Sequence, residues 1–441
     1  MKKNPEALYN LEFFKNRRSR LASIMKPNEV LVLFSTPEYY RNGDVAHNHR
    51  QDSSLFYLSG YEESESVFVF CPGQKLESIL FVQKKDPLKE TWDGFLFGAE
   101  GAKDAFAMDA AFENSEFETK ILDLVAHSQT IYCNAAYGTH DGLMMHSVLK
   151  SIQKRKGRSG LGLMTMADPL NLMGQLRVKK TEEEIQILRK SCQISSDAHR
   201  ALMKAVRPGI SERELHGIFL YEVMKRGAQR EGYSAIVASG SHATTLHYKT
   251  NHDICQDGDF LLVDAGGEYN YLTADITRTY PVNKKFSPEQ KDLYQRVLDI
   301  QKQMIALVKP GTHFKNLNEK VISLITDHLI ELKLLKQSKD EIISKRLFTK
   351  YYPHSLGHFL GMDVHDVGAY YNNDLTQPIN FEAGNVITIE PGIYIPKDDV
   401  EAPKALRGLG IRIEDDVLVT QDGFEVLTHD CPKEISDLES L

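Results

Sequence analysis

Asp259-Phe260-Leu261-Leu262-Val263-Asp264-Ala265-Gly266-Gly267, followed by Thr273-Ala274-Asp275-Ile276-Thr277-Arg278-Thr279, is the stretch on which the reading of this sequence turns. The first run is β-prone and apolar until an acid and a glycine turn close it, and the second reads as its partner strand. A hairpin that turns between Tyr269 and Asn270 sets Asp264 directly opposite Asp275. Like charges facing each other across a ladder destabilise it unless a cation lies between them. Two acids near a hairpin also read as plain turn residues, so a metal site requires further ligands.

Candidates follow downstream. The segment His354-Ser355-Leu356-Gly357-His358-Phe359-Leu360-Gly361-Met362-Asp363-Val364-His365-Asp366 holds three histidines, each of which alone reads equally well as a packed core residue. Its H-x-x-x-H spacing lacks the glutamate after the first histidine that a zinc-protease helix needs, and glycine flanks the second, so that reading is rejected. Val386-Ile387-Thr388-Ile389-Glu390-Pro391-Gly392 ends an apolar strand in a carboxylate, and a charge there needs a partner or a metal. Ile411-Arg412-Ile413-Glu414-Asp415 alternates, with Arg412 and Glu414 on one face. A surface pair of those two is the plain alternative.

The rest of the chain bounds the setting. Of 441 residues, 53 are Lys or Arg and 61 Asp or Glu, and the net charge of −8 argues against a nucleic-acid partner bound by phosphate neutralisation. Apolar residues at 41% and charged residues at 26%, without biased tracts, exclude a disordered or fibrous chain. Cys71, Cys133, Cys192, Cys255 and Cys431 are odd in number, far apart and without a C-x-x-C pair, as expected of reduced thiols in a cytoplasmic protein. The first residues lack the apolar core of a secretory signal, and runs such as Leu31 to Phe34 are too short to span a bilayer, so no membrane partner is expected.

Short β-prone runs (Val30 to Phe34, Val67 to Phe70, Ile79 to Val82, Thr130 to Cys133) mixed with helical stretches (Leu11 to Met25, Phe117 to Ala126) predict an α/β domain over residues 1–175. The basic run Lys154 to Gly160 reads as a solvated loop ahead of a second domain, residues 176–441. In that domain Thr181 to Glu184, Ser211 to Glu214 and Ser287 to Gln290 have capping-box spacing, and a long helix runs from Thr181 toward Val206. Val206-Arg207-Pro208-Gly209 with Leu215 recurs 102 residues later as Val308-Lys309-Pro310-Gly311 with Leu317. Each copy predicts a helix, a Pro-Gly stop and another helix, and a duplicated half makes a pseudo-symmetric domain with a site between halves.

Asp264, Asp275, His358, Glu390 and Glu414, in that order, resemble the five-ligand set of the pita-bread metallopeptidases. The neighbouring residues match too: Asp264-Ala265-Gly266, Asp275-Ile276-Thr277-Arg278-Thr279, Gly357-His358, Glu390-Pro391-Gly392 and Arg412-Ile413-Glu414-Asp415-Asp416. The resemblance covers nearly the full length, since Arg50-Gln51-Asp52-Ser53-Ser54-Leu55-Phe56-Tyr57-Leu58-Ser59-Gly60 is similar to a segment of the aminopeptidase P N-terminal domain. It implies an α/β fold in which a smaller N-terminal α/β domain precedes a pseudo-symmetric pita-bread catalytic domain. The implied activity is metal-dependent release of the N-terminal residue from peptides with proline second, as by an Xaa-Pro aminopeptidase. A prolidase confined to Xaa-Pro dipeptides is the near alternative. A metal-free binding protein or creatinase-like hydrolase is a further one, and the complete ligand set speaks against it.

Four carboxylates and one imidazole, without thiolate, suit Mn²⁺ above Co²⁺, Mg²⁺ or Zn²⁺. Two divalent ions about 3.5–4 Å apart activate a water and stabilise a developing oxyanion. The resemblance implies Asp275 and Glu414 as bridging ligands, Asp264 on one metal, and His358 and Glu390 on the other, Glu390 also shuttling a proton. It further assigns His247 and His365 to contacts around the scissile bond, and His354, Tyr394, Arg412, Trp92 and Asp44 to the substrate side, with Trp92 reaching in from a neighbouring subunit of a homo-oligomer, dimer or tetramer. An arginine that some members carry before the Glu-Pro-Gly strand is absent, and Asn372, Asn373 and Asp374 occupy that region.

Overall fold

A computed structural model describes residues 10–125, 128–134, 139–156 and 165–441. The chain divides into two compact units, residues 1–176 and 177–441. Lys154 and Arg155 fall in the helix His140–Lys156, and the rest of the basic run, 157–160, lies outside the described residues, as does Ala126.

In the first unit, the β-branched and aromatic runs pair into a six-stranded mixed sheet. Its strands lie in the order Ala110–Glu113, Ser78–Val82, Val67–Phe70, Glu29–Phe34, Thr130–Tyr132, Thr165–Ala167. The central pairs are antiparallel and the outer ones parallel. One face, built from Val30, Val32, Phe34, Val67, Val69, Ile79, Phe81 and Ile131, packs on Phe117, Ile121, Met145 and Val148 from two helices. The helix Leu11–Ile24 is started by Asn10, whose side chain accepts the Phe13 N–H.

The second unit has two helix hairpins, one per copy of the internal echo. Glu182–Ala205 leads into Glu212–Lys225, and Pro288–Ala306 into Phe314–Glu331. Thr181 with Glu184 and Ser287 with Gln290 form complete capping boxes, and Ser211 caps the Glu214 N–H. Gly209 and Gly311, at φ +87° and +86°, take the same left-handed conformation in the turn that joins the two helices of each pair. Each hairpin is followed by a three-stranded sheet whose strands are buried except for the last one of the second sheet. Ile236–Ser239, Phe260–Asp264 and Thr277–Pro281 make the first, and Val386–Ile389, Asp415–Val419 and Phe424–Val426 the second.

Two buried ion clusters hold this unit. Asp415 receives Arg278 Nη2 at 2.7 Å and Lys433 Nζ at 2.5 Å, while Arg278 Nη1 donates to the Glu414 carbonyl at 2.5 Å, so strands from both sheets share one charge network. Asp366 receives Arg177 Nη2 at 2.5 Å and Lys180 Nζ at 3.0 Å.

Candidate metal centre and active site

The hairpin that carries the first two acids corrects the expected register. Tyr269 pairs with Leu272, and the two-residue loop Asn270-Tyr271 has φ +48° and +62°, as a primed turn requires. The turn therefore lies one residue later than expected, and Asp264 faces Thr277, not Asp275. The two acids still meet, because Tyr233 Oη lies 2.6 Å from Asp264 Oδ1 and 2.6 Å from Asp275 Oδ1. A phenol has one proton for these two carboxylates.

Backbone pairing places the other ligand candidates. Thr388 N–H donates to the His358 carbonyl at 2.9 Å and Glu390 N–H to the Leu356 carbonyl at 2.8 Å, so the histidine segment lies along the strand that ends at Glu390. Only glycine permits this approach: a Cβ on Gly357 would stand 1.9 Å from the Thr388 carbonyl oxygen. Glu414 bridges the strands Gly410–Arg412 and Asp415–Val419, its N–H donating to the Thr277 carbonyl at 3.1 Å and its Oε2 accepting from Thr277 Oγ1 at 2.7 Å. Neither Glu414 nor Arg412 is a surface residue; they are 2% and 4% exposed.

Asp264, Asp275, His358, Glu390 and Glu414 line one cavity of about 480 Å³, together with His247, His354, His365 and Arg412. His358 Nδ1 lies 3.0 Å from the Phe359 carbonyl, so the neutral ring carries its proton there and turns the Nε2 lone pair toward Asp275 Oδ2 at 3.4 Å and Glu390 Oε1 at 3.6 Å. Asp275, His358 and Glu414 present ligand atoms that all lie within 4.8 Å of one another. His365 stacks edge-on against His358 at 4.4 Å between ring centroids. Behind the carboxylates, Arg412 donates to Asp264 Oδ2 at 2.5 Å, Tyr394 Oη at 3.0 Å and Thr277 Oγ1 at 3.0 Å, and Tyr394 Oη also meets His354 Nε2 at 2.8 Å.

Charge in the cavity is unbalanced. Burial pushes the Glu390 carboxyl up to about 7 against the opposing pull of His358 and Arg412. Burial, with the charges of Asp275, Glu390 and Asp264, carries Glu414 well above the carboxylate range, and burial also raises Asp264. Asp275 moves down: burial opposes its charge, but the hydrogen bond and charge of His358 outweigh it. Burial pulls His358 down, yet the Asp275 hydrogen bond and the Glu390 charge lift it to about 9. Without a cation these side chains retain protons in its place, and an oxygen-rich donor set with one imidazole fits hard divalent ions.

The profile of metallopeptidase family M24 matches residues 186–421, and that of the aminopeptidase P N-terminal domain matches residues 14–132. The chain belongs to metallopeptidase family M24. It is 37% identical to an Xaa-Pro aminopeptidase of Haemophilus influenzae, over 98% of this chain and 97% of that one. It is 36% identical to Xaa-Pro aminopeptidase 3 of Homo sapiens, over 96% of this chain and 84% of that one. Among solved structures, aminopeptidase PepP of Pseudomonas aeruginosa superposes with a TM-score of 0.92 at 36% identity, covering 98% of both chains. Zn-substituted Escherichia coli aminopeptidase P in complex with product superposes at 0.91 with 34% identity and the same coverage. The fold is that of this M24 group, an aminopeptidase P N-terminal domain followed by the pita-bread domain.

Within this M24 chain, nine of the twelve residues singled out from the sequence line the cavity, and Tyr394 is bonded to two of them. Trp92 and Asp44 belong to the N-terminal unit, where both are exposed, Trp92 at 87%. Asn372, Asn373 and Asp374 form a self-bonded turn, with Thr376 Oγ1 donating to Asp374 Oδ1 at 2.6 Å. Sequence reasoning missed Tyr233 and the role of Thr277. Neither belongs to a ligand type, and only the tertiary fold shows that each hydroxyl donates to a cavity carboxylate.

Proposed function

We propose that the chain releases the N-terminal residue from peptides with proline at the second position, by hydrolysis at a dinuclear divalent-metal centre. The activity is that of the Xaa-Pro aminopeptidases it resembles across nearly its whole length. The observation that carries the reading is the convergence of Asp264, Asp275, His358, Glu390 and Glu414 on one cavity from both halves of the domain, Asp264 at a strand end and the others on segments that flank strands. In this reading Asp264, Asp275 and Glu414 would hold one ion and Asp275, His358, Glu390 and Glu414 a second, with Mn²⁺ the ion that best suits the donors. Bound there, divalent ions supply Lewis acidity, lowering the pKa of a water and polarising the scissile carbonyl.

The protein's own groups do the rest. Glu390, on the cavity lining beside His358, is suited to take a proton from the attacking water and pass it to the proline nitrogen, which has no proton of its own to leave with. His365 and His247 face the cavity as donors for the reacting peptide, and the chain Arg412, Tyr394, His354 holds the wall of the pocket. A homo-oligomer, dimer or tetramer, in which Trp92 and Asp44 serve the substrate side, is part of this reading. It is supported by the exposure of Leu88, Trp92 and Phe95 at 77%, 87% and 62%. A cytoplasmic setting is supported by five cysteines buried as free thiols, and among the described residues no helix is long and apolar enough to cross a membrane.

A panel of Xaa-Pro dipeptides, Xaa-Pro-Yaa tripeptides and longer Xaa-Pro peptides, assayed with and without Mn²⁺, tests the function. Metal-dependent release of Xaa from tripeptides and longer chains is expected. Cleavage of dipeptides alone would replace the reading with that of a prolidase.

A further inference from the structure

Two non-histidine cations line the cavity, Arg412 and Lys249. Arg412 is committed, since its three nitrogens are bonded to Thr277, Tyr394 and Asp264. Lys249 is exposed and, among the described residues, forms no hydrogen bond or ion pair. It is nevertheless held in place from both sides. Tyr248 Oη donates to the buried Glu212 at 2.9 Å and its ring stacks on His242 at 4.4 Å. Two residues on, the buried Asn251 accepts from Val237 N–H at 3.0 Å and donates to the Ala235 carbonyl at 2.8 Å.

The cavity thus has buried acids at its floor and, on its wall, an exposed ammonium carried by a backbone position anchored on both sides. We propose that Lys249 is a specificity-determining residue that receives a substrate carboxylate downstream of proline. This rests on the aminopeptidase reading, in which the peptide's amino end is held at the acids. The remainder of the peptide then runs toward solvent, where its first negative charge is attracted by Lys249. That charge comes either from the C-terminus of a short peptide or from an acidic side chain at the third position.

The test uses the Mn²⁺-loaded full chain and two matched pairs, Ala-Pro-Ala as free acid against its amide, and Ala-Pro-Glu amide against Ala-Pro-Gln amide. The charged member of at least one pair should be favoured about two- to fivefold in kcat/KM, through KM, with the preference shrinking as salt is raised. A preference in the first pair identifies the chain terminus as the source, and one in the second the side chain. Lys249→Met should bring the ratio to about one, Lys249→Glu should invert it, and Lys249→Arg should keep it. Equal turnover within both pairs by the unaltered enzyme, or a preference that survives Lys249→Met, overturns the proposal while leaving the aminopeptidase reading intact. Turnover of none of the four peptides overturns that reading and the proposal with it.

Discussion

Glu414 and Asp415 are consecutive and equally buried, yet they belong to two regions with opposite electrostatic balance. Asp415 receives Arg278, Lys433, Gln301 and Thr428, and although burial opposes its charge, the two cations hold its carboxyl below the ordinary range. Glu414 looks into the cavity, where Asp264, Asp275 and Glu390 add to burial and drive it up. The same contrast separates Asp366, paired with Arg177 and Lys180, from Glu390. One region carries its counter-charges in the sequence and is complete on folding. The other has four acids facing Arg412 and His358, and takes the missing charge from outside. A buried charge without a counter-charge is a cost to the fold, and its place in the cavity marks where the chemistry lies.

The largest effect should come from breaking the self-balanced region. Arg278→Met leaves Asp415 with one cation and the strands from the two halves without their shared guanidinium. A loss of roughly 3–5 kcal/mol is expected in urea unfolding, the same with and without Mn²⁺. A loss that Mn²⁺ restored would erase the distinction between the regions.

The pH dependence should differ next. In the metal-free protein Glu390 at about 7 and His358 at about 9 lie above their ordinary values of 4.5 and 6.5. The folded state therefore binds more protons than the unfolded one, and the stability these groups contribute is full at low pH and lost as pH rises through about 7 and 9. Asp415 and Asp366 are depressed, so their contribution is present above about 3.8 and lost as pH falls below it. Urea midpoints between pH 5 and 8 should fall more steeply for metal-free than for Mn²⁺-saturated protein, and parallel slopes would contradict the charge assignment.

Metal addition sharpens the comparison further. Saturation at 100 times the dissociation constant contributes about 2.7 kcal/mol, so Mn²⁺ should raise the unfolding temperature. The Asp264→Asn, Asp275→Asn double variant should lose that response. An unchanged shift would move the site elsewhere.

The smallest and most local effect separates two touching histidines. His358→Ala should lower bound metal and turnover together, while His365→Ala should keep its metal and lose about ten- to a hundredfold in kcat and kcat/KM, the size of one hydrogen bond made in the transition state. Metal analysis beside kinetics on one Xaa-Pro-Yaa substrate decides, and the opposite pattern would exchange their roles.

The five ligand candidates were legible in sequence because acids ending apolar strands have few alternatives to a partner or a metal, and the helix caps because their spacing is local. The register of the first hairpin was not. Tyr271 takes a left-handed conformation that its side chain does not advertise, and this moved the turn by one residue. Tyr233 and Lys249 were illegible for another reason. Neither is of a residue type the ligand pattern calls for, and the placement of each on the cavity lining arises only in the tertiary fold, Tyr233 through its bonds to Asp264 and Asp275 and Lys249 between the anchored Tyr248 and Asn251.

The amide ladder between the His358 segment and the Val386–Ile389 strand has a kinetic consequence. Because His358 and Glu390 are set side by side by main-chain hydrogen bonds, stripping the ions leaves that half of the cage assembled. Reloading should then run at the speed of ion capture, first order in added Mn²⁺ and without a refolding lag, and the Thr388 and Glu390 amides should resist deuterium exchange in the empty protein as well as in the full one.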